Sequence, residues 1–172
     1  TYLADTNVPK TAPKPTVEDL TNAGLKDVTS TNLDDVLTKL DDPETDTTTL
    51  EKMQEAVEVV NTALAKAAAL QKIQAYATSN GGSAEPAAQD FVDAGVNNAA
   101  THLAKVNQAI ASKDAGDVNT TRKVQDIVNA VNTLETYLAD TDVPKTAPKP
   151  TVEDITNAGL KDVTSTNLDD VL

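Results

Sequence analysis

The sequence predicts an all-α protein made of small three-helix bundle modules repeated in tandem. Proline and glycine, which are disfavoured inside helices, occur only between stretches of regular apolar spacing. Within those stretches the apolar residues recur at intervals of three and four, the period of one helix face. Alternation of apolar and polar residues, which is typical of strands, is absent from the sequence.

The chain repeats itself almost without change. Residues 1–37 return as residues 136–172 with only Asn7→Asp142 and Leu20→Ile155 altered, which gives a period of 135 residues. A weaker repeat lies inside this period, since "EDLTNAGL" (18–25) matches "QDFVDAGV" (89–96) and "MQEAVEVVNT" (53–62) matches "VQDIVNAVNT" (124–133). Fixed periods of this kind indicate arrays of similar structural units. We expect a longer tandem array that continues past Leu172 with a sequence close to "TKLDDPETDTTTL".

The first module predicts three helices in order. A short helix ends at "AG" (23–24), and a second of about three turns follows Ser30 and Thr31, whose side chains can cap it. A third helix is predicted over about 47–77, because "ALAKAAALQKIQAYA" strongly favours helix. The apolar faces of the second and third helices contain Leu33, Val36, Leu37 and Leu40, and Leu50, Met53, Val57, Val60 and Leu64.

The second module follows the same plan with a shorter third helix, predicted over about 118–139. A difference of about ten residues makes the first module's third helix roughly 15 Å longer, so the two modules should differ in shape. The predicted organisation is an end of a preceding helix and Pro-rich linker (1–15), module 1 (16–80), a Gly-rich linker (81–86), module 2 (87–140), a Pro-rich linker (141–150) and the start of the next repeat (151–172).

The two kinds of linker differ in chemistry. "DTNVPKTAPKP" contains closely spaced prolines, which favour an extended polyproline-II spacer of about 3.1 Å per residue. "SNGGSAEP" contains a glycine pair and should be the more flexible joint. The repeated segment is therefore interpreted as a stiff spacer between periods.

Composition limits the classes of function. The net charge is −13, which argues against nucleic acid or an anionic membrane surface as a partner. With three Tyr, one Phe and no Trp, the core must be thin and aliphatic. The absence of Cys excludes disulfides, thiolate metal sites and cysteine nucleophiles. No apolar run approaches the roughly 18 residues of a membrane span.

A resemblance to a known class of proteins is carried by "DLTNAGLKDVTSTNLDDVLTKL" (19–40) and "DFVDAGVNNAATHLAKVNQAI" (90–110), together with the Gln-x-x-Val pairs Gln54/Val57 and Gln125/Val128. These segments resemble the helical tandem repeats of large bacterial surface and biofilm-type adhesins. The resemblance implies an exported cell-surface protein whose modules extend a binding tip or pack into a matrix or fibre. The second module has "NNAATH" where the first has "KDVTST", which predicts a weaker cap on its second helix.

Candidate site residues are few. His102 is the single histidine and is interpreted as solvated or close to a helix cap. The acidic turn of Asp41, Asp42, Glu44 and Asp46 could present oxygens to Ca²⁺, but it lacks the spacing of a calcium loop, so capping is favoured. "SKDAGD" (112–117) is a weaker version of the same pattern. "SNGGSAEP" lacks the Lys-Ser/Thr of a phosphate loop.

Three further patterns have a structural and a functional interpretation. "NTT" (119–121) matches the N-glycosylation triplet, but helix capping is favoured. The Pro-Lys-x-x-Pro elements (Pro9 to Pro13 and Pro144 to Pro148) resemble ligands of polyproline-binding domains, although a spacer is favoured. The tyrosines are expected to close the ends of the bundles rather than to bind sugars; they are Tyr2, Tyr76 and Tyr137.

The sequence therefore favours a structural segment of an extracellular bacterial surface protein, either an adhesin stalk or the protein of a surface fibre. Its expected partners are neighbouring repeats of the same chain, with other copies in a fibre and a host or matrix protein as further candidates. The alternative is a helical binding module that holds a host or neighbouring protein on one helix face. No residue is assigned to catalysis, metal or cofactor binding, and an enzyme is the least favoured class.

Overall fold

The computed structural model describes residues 2–5, 7 and 10–172, and in these residues the chain is all-α with no strand. The described part contains eight α-helices and two short 3₁₀ segments, Ala99–His102 and Ala115–Val118. The α-helices are α1 (Val17–Asn22), α2 (Leu33–Asp41), α3 (Leu50–Thr78), α4 (Ala88–Asp93), α5 (Leu103–Ala111), α6 (Thr121–Ala139), α7 (Val152–Asn157) and α8 (Leu168–Val171).

The chain divides into two compact units, and the first is Thr1–Leu64. Its core is formed by α1, α2, the segment between them and the first half of α3. Val36 and Val57 are fully buried there, and each stabilises the fold by about 1.5–3 kcal/mol relative to an exposed side chain. The other buried members of this core are Leu20, Leu25, Val28, Leu37, Leu40, Ala56 and Val60.

The second unit is Ala65–Leu172. Its core joins the second half of α3 to α4, α5 and α6, with Phe91 of α4 as its largest fully buried side chain. Helix α7 packs beside this core: Ile155 is fully buried and Lys113 Nζ donates to Thr156 O at 2.7 Å. A Cβ on Gly159 would lie 3.3 Å from Ala109 Cα, so this close approach requires glycine.

The boundary between the units lies inside α3 and not at the predicted Gly-rich linker, 81–86. The first half of α3 buries Ala56, Val57 and Val60 in one core, and the second half buries Ala69, Ile73, Tyr76 and Ala77 in the other. Residues 62–68 between them are all exposed. The predicted division at 80 treated α3 as a member of one module, whereas its buried residues are shared between two.

The long helices lie close to their predicted positions. Helix α3 has 29 residues and α6 has 19, so α3 is ten residues longer. Leu50–Thr78 agrees with the predicted 47–77 within three residues, and Thr121–Ala139 agrees equally well with 118–139. The strong helix preference of the Ala-rich segment explains why α3 continues through an exposed stretch.

The sequence predicts that the repeated Pro-rich segment is an extended spacer. In the structure, part of this segment is instead a closed loop. In its second copy, Ala147 N donates to Asp140 Oδ2 at 2.6 Å although the two residues are seven positions apart. An extended polyproline-II chain would separate their backbones by about 20 Å, so residues 140–147 form a closed loop. The first copy includes Thr6, Val8 and Pro9, which with Thr1 lie outside the described residues.

The Gly-rich segment forms a helix cap. Gly81 has a φ of +81° and its N–H donates to Tyr76 O at 2.9 Å, which closes the C-terminus of α3. Its expected flexibility remains a prediction. Within the described part of the chain, none of the helices combines the length and the apolar character needed to cross a membrane.

Candidate functional site

The most regular polar feature of the molecule is a turn that follows the short helices α1, α4 and α7. We name residues 23–27, 94–98 and 158–162 the Ala-Gly turns. In each, the residue after glycine donates its N–H to the carbonyl five residues earlier, which satisfies a helix-terminal carbonyl. The bonds are Leu25 to Leu20 at 3.1 Å, Val96 to Phe91 at 2.8 Å and Leu160 to Ile155 at 3.1 Å.

Each Ala-Gly turn contains two residues in the left-handed region. The glycines Gly24, Gly95 and Gly159 have φ values of +99°, +78° and +96°. Three residues later, Asp27, Asn98 and Asp162 have φ values of 60°, 61° and 62°. Asp and Asn tolerate this conformation better than other non-glycine residues because their short polar side chains bond locally. The three turns therefore share these left-handed positions although the second differs in sequence from the other two.

Two side chains of α3 hold the first Ala-Gly turn. Gln54 Oε1 accepts from Lys26 N at 2.8 Å, and Gln54 Nε2 donates to Lys26 O at 3.4 Å. Asn61 Nδ2 donates to Asp27 O at 3.1 Å. Residues seven apart lie on the same face of a helix, so both amides reach one turn. We name such a Gln and Asn pair the turn clamp.

The turn clamp recurs on α6 with a different partner sequence. Gln125 Oε1 accepts from Asn97 N at 2.7 Å, and Gln125 Nε2 donates to Asn97 O at 3.2 Å. Asn132 Nδ2 donates to Asn98 O at 3.2 Å. Every one of these bonds goes to a main-chain atom, so the clamp recognises the turn's backbone and not its side chains.

A third amide supports the first turn from the start of α2. Asn32 is buried, its Oδ1 accepts from Thr29 N at 2.7 Å, and its Nδ2 donates to Asp27 O at 2.8 Å and to Asn61 Oδ1 at 2.6 Å. In the second unit, His102 occupies the N-cap position of α5 without a side-chain cap bond. The sequence predicts a weaker cap at this position, but Asn32 at the N-cap of α2 likewise makes no side-chain cap bond.

The third Ala-Gly turn has the sequence of the first but no clamp among the described residues. Asn167 Nδ2 donates to Asp162 O at 2.9 Å and Asn167 Oδ1 accepts from Thr164 N at 2.6 Å, as Asn32 does in the first copy. In the described part of the chain, no glutamine or asparagine from a long helix bonds to Lys161 or Asp162. This turn is therefore formed without a clamp: Gly159 packs against Ala109, and residues 160–162 are exposed.

The repeated Pro-rich segment folds into a second recurring feature, which we name the Asp-Lys loop (residues 2–12 and 137–147). Asp140 Oδ2 accepts from Thr146 N at 2.7 Å and Ala147 N at 2.6 Å. Lys145 Nζ donates to Tyr137 O at 2.9 Å and lies 4.9 Å from the Tyr137 ring centroid. A lysine is favourable here because it neutralises free carbonyls at the C-terminus of α6.

The first copy of the loop repeats these bonds. Asp5 Oδ2 accepts from Thr11 N and Ala12 N, both at 2.7 Å. Lys10 Nζ donates to Asp5 O at 2.7 Å and to Tyr2 O at 3.1 Å. Lys10 also forms an ion pair with Asp41 at 2.8 Å. The described residues of the first copy therefore form the same Asp and Lys bonds to the main chain as the second copy.

The loop carboxylates are held in their ionised form. Hydrogen bonds from the N–H groups of Ala147 and Asp142 lower the pKa of Asp140 to about 2. Bonds from the N–H groups of Asn7 and Ala12 likewise hold the pKa of Asp5 well below its ordinary value. Both carboxylates remain charged acceptors over the whole range in which proteins normally work.

The acidic turn uses its oxygens within the chain. Asp42 accepts from Glu44 N at 3.0 Å and pairs with Lys39 at 3.1 Å, and these contacts lower the pKa of Asp42. Asp46 accepts from Thr48 Oγ1 at 2.6 Å and Thr48 N at 3.0 Å. Over residues 2–5, 7 and 10–172, no three His, Asp or Glu side chains are grouped to hold a metal ion.

The remaining candidate residues are placed as follows. Thr120 of "NTT" is the N-cap of α6 and accepts from Lys123 N at 3.3 Å. Tyr76 is buried in the second core, whereas Tyr2 and Tyr137 are half-buried beside their lysines. Of the first Pro-Lys-x-x-Pro element, Pro9 lies outside the described residues, and Lys10 belongs to the Asp-Lys loop.

The first unit also contains an open groove of about 840 Å³ between α2 and the first half of α3. Its apolar floor is formed by Leu37, Val59, Val60 and Ala63, and acidic side chains that include Asp34 and Asp35 line its edge. Val59 is 57% exposed. The groove offers a shallow apolar surface rather than an enclosed pocket.

Comparisons with protein-family models, with curated proteins and with solved structures gave no match to this chain.

Proposed function

We propose that this chain is a structural segment of a large extracellular bacterial surface protein, formed by tandem three-helix modules with a period of 135 residues. Its role is that of an adhesin stalk or of the protein of a surface fibre, and not that of an enzyme. The observation that carries the proposal is the near-identity of residues 1–37 and 136–172, together with the Asp-Lys loop and Ala-Gly turn that both copies form.

The polar features support a mechanical rather than a chemical role. The turn clamps and the Asp-Lys loops bond side chains to main-chain atoms of the same chain. Such contacts fix the path of the backbone at each junction and present no reactive group to a substrate. Lateral packing with other copies would give a fibre, and end-to-end extension would give a stalk.

The test compares chains of one, two and three periods. The expected result is a maximum dimension in small-angle X-ray scattering that rises linearly with period number, while each chain remains monomeric. A maximum dimension that stays constant from one to three periods would contradict a stalk. Filaments in electron micrographs of the three-period chain would select the fibre form of the proposal.

A helical binding module is the second candidate, and the groove with Val59 and Val60 favours it. A host or neighbouring protein held there should be captured by one period alone from serum or matrix extract. Val59→Asp should abolish that capture without loss of helical signal, because Val59 is largely exposed. The matched control is Val92→Asp, which changes an exposed valine of α4 (62% exposed) in the other unit.

A further inference from the structure

The third Ala-Gly turn and α8 expose an apolar face whose sequence is buried elsewhere in the same molecule. Leu160 is 41% exposed and Val171 is 42% exposed. Their sequence equivalents in the first copy, Leu25 and Val36, are 3% and 0% exposed. Because the local sequences are identical, the difference must come from what packs against them.

The first half of α3 is the element that covers this face in the first copy. Ala56, Val57 and Val60 share one core with Leu25 and Val36. The close contact extends to the turn glycine, since a Cβ on Gly24 would lie 2.9 Å from Leu50 Cδ2 at the start of α3. At the equivalent Gly159, a Cβ would instead meet Ser112 Oγ at 2.8 Å and Ala109 Cα at 3.3 Å. The exposed part of the face, at Leu160 and Val171, is therefore the part that can receive a helix with the pattern of residues 50–60.

The polar part of the face identifies the same helix. In the first copy, α3 supplies the turn clamp of Gln54 and Asn61 to Lys26 and Asp27. Lys161 and Asp162 are the same two residues in the third turn, and Asp162 has the same left-handed φ. The second clamp, on α6, shows that this pairing recurs with a different turn sequence.

The clamp residues on both long helices of this chain already bond to other Ala-Gly turns. The clamp residues of α3 bond to the first turn, and Gln125 and Asn132 of α6 bond to the second turn. We infer that the face formed by Leu160, Val171 and the backbone of Lys161 and Asp162 binds the first half of an α3-type helix from a following repeat of the same chain. This inference rests on the proposed tandem arrangement.

The experiment supplies that helix. Residues 38–64 are appended directly after Leu172, which recreates the Leu37 to Thr38 junction because Leu172 is the equivalent of Leu37. Hydrogen exchange of the Lys161 amide should become at least about tenfold slower, since the equivalent Lys26 amide donates to Gln54. In a matched control, the appended copies of Gln54 and Asn61 are changed to Ala and the appended copy of Val57 to Asp. This control should abolish the protection.

A substitution provides a second readout. Val171→Asp should leave the melting temperature of the 172-residue chain almost unchanged and lower that of the extended chain by several degrees. Val36→Asp, at the equivalent fully buried position, should be destabilising in both chains. Equal effects of Val171→Asp in the two chains, with unchanged exchange of Lys161, would refute the inference.

Two other outcomes separate the source of the helix and the underlying proposal. If protection of Lys161 appeared only with a concentration-dependent dimer, the helix would come from a second copy and the same-chain assignment would be wrong. The scattering of one to three periods tests the stalk independently. A linear rise in length without protection of Lys161 would reject this docking while leaving the proposed function standing.

Discussion

At the scale of single residues, the molecule depends on side chains that bond to the main chain rather than to each other. Asp140 accepts from two N–H groups six and seven positions further along the chain. Gln54 and Gln125 each bond to both the N–H and the carbonyl of one turn residue. A charged or amide acceptor at such positions replaces the water that the turn's backbone would otherwise bind.

Asp140 makes the free energy of unfolding depend on pH in the acidic range. Its pKa is lowered in the folded chain, so its contribution is fully present above an unfolded value of 3.8 and is lost as pH falls towards about 2. We expect Asp140→Asn to reduce the loss of stability between pH 4 and pH 2, measured by urea unfolding at several pH values. Asp35→Asn, at an exposed position on α2, is the matched control. An unchanged pH profile for Asp140→Asn would show that the loop is open in solution.

At the scale of elements, the sequence predicts the length and position of α3 but not which cores its buried residues join. Its length and position follow from Ala, Leu, Lys and Gln, which favour helix, and from the absence of Pro and Gly between 44 and 80. Its role does not follow from them. The buried residues of α3 fall in two groups around the exposed stretch 62–68, and helical periodicity gives the face of a side chain but not the core that receives it.

The exposed middle of α3 should be stabilised by helix propensity alone. Ala65→Gly with Ala67→Gly should therefore destabilise the chain by about 2 kcal/mol, since each Ala→Gly change costs roughly 1 kcal/mol in an exposed helix. Chemical unfolding followed by circular dichroism measures this change. Ala65→Gln with Ala67→Gln should cost about 0.5 kcal/mol or less, because the larger side chains meet only solvent. A large cost for the Gln variant would reveal packing at these positions.

The two recurring loops differ in how far sequence could predict them. Gln54 and Gln125 were recognised as part of a pattern, and the clamp's second members, Asn61 and Asn132, lie in the matched segments 53–62 and 124–133. The sequence therefore contains both clamp residues, but it does not show that they bond to main-chain atoms of the Ala-Gly turn. The closely spaced prolines of the Asp-Lys loop predict an extended spacer, whereas the bonds of Asp140 and Lys145 to main-chain atoms close the loop. Hydrogen bonds between residues seven positions apart in a loop produce no periodic pattern in the sequence, so periodicity cannot predict them.

At the scale of the whole molecule, each compact unit depends on the long helix that closes its core. Val128 is fully buried in the second unit at the centre of α6. Val128→Asp places an unpaired carboxylate in that core, which costs several kcal/mol. We expect the helical signal to fall by about the share of the second unit while the first keeps its own core. Ala139→Asp, at the exposed end of α6, is the matched control, and an intact signal for Val128→Asp would show that the assigned face is wrong.

The all-α class, the helix positions and the repeat could be predicted from periodicity, punctuation and self-similarity. The unit boundary could not, because Gly81 looks like a joint in sequence and serves as a helix cap in the fold. Val171 repeats Val36, which the sequence predicts on the apolar face of a helix, whereas Leu160 lies between α7 and α8. Only the comparison of Leu25 with Leu160 shows that identical segments meet different surroundings.

The clamp's restriction to peptide groups also has a consequence for how copies of the repeat can diverge. Lys26 and Asn97 occupy equivalent positions and differ in charge and length, yet each is held by the same two bonds from a glutamine. This turn therefore accepts both a lysine and an asparagine at the clamped position, while the neighbouring left-handed site holds Asp or Asn. In the proposed tandem array, copies of the repeat can therefore differ in surface charge at the clamped position while the turn keeps its backbone geometry.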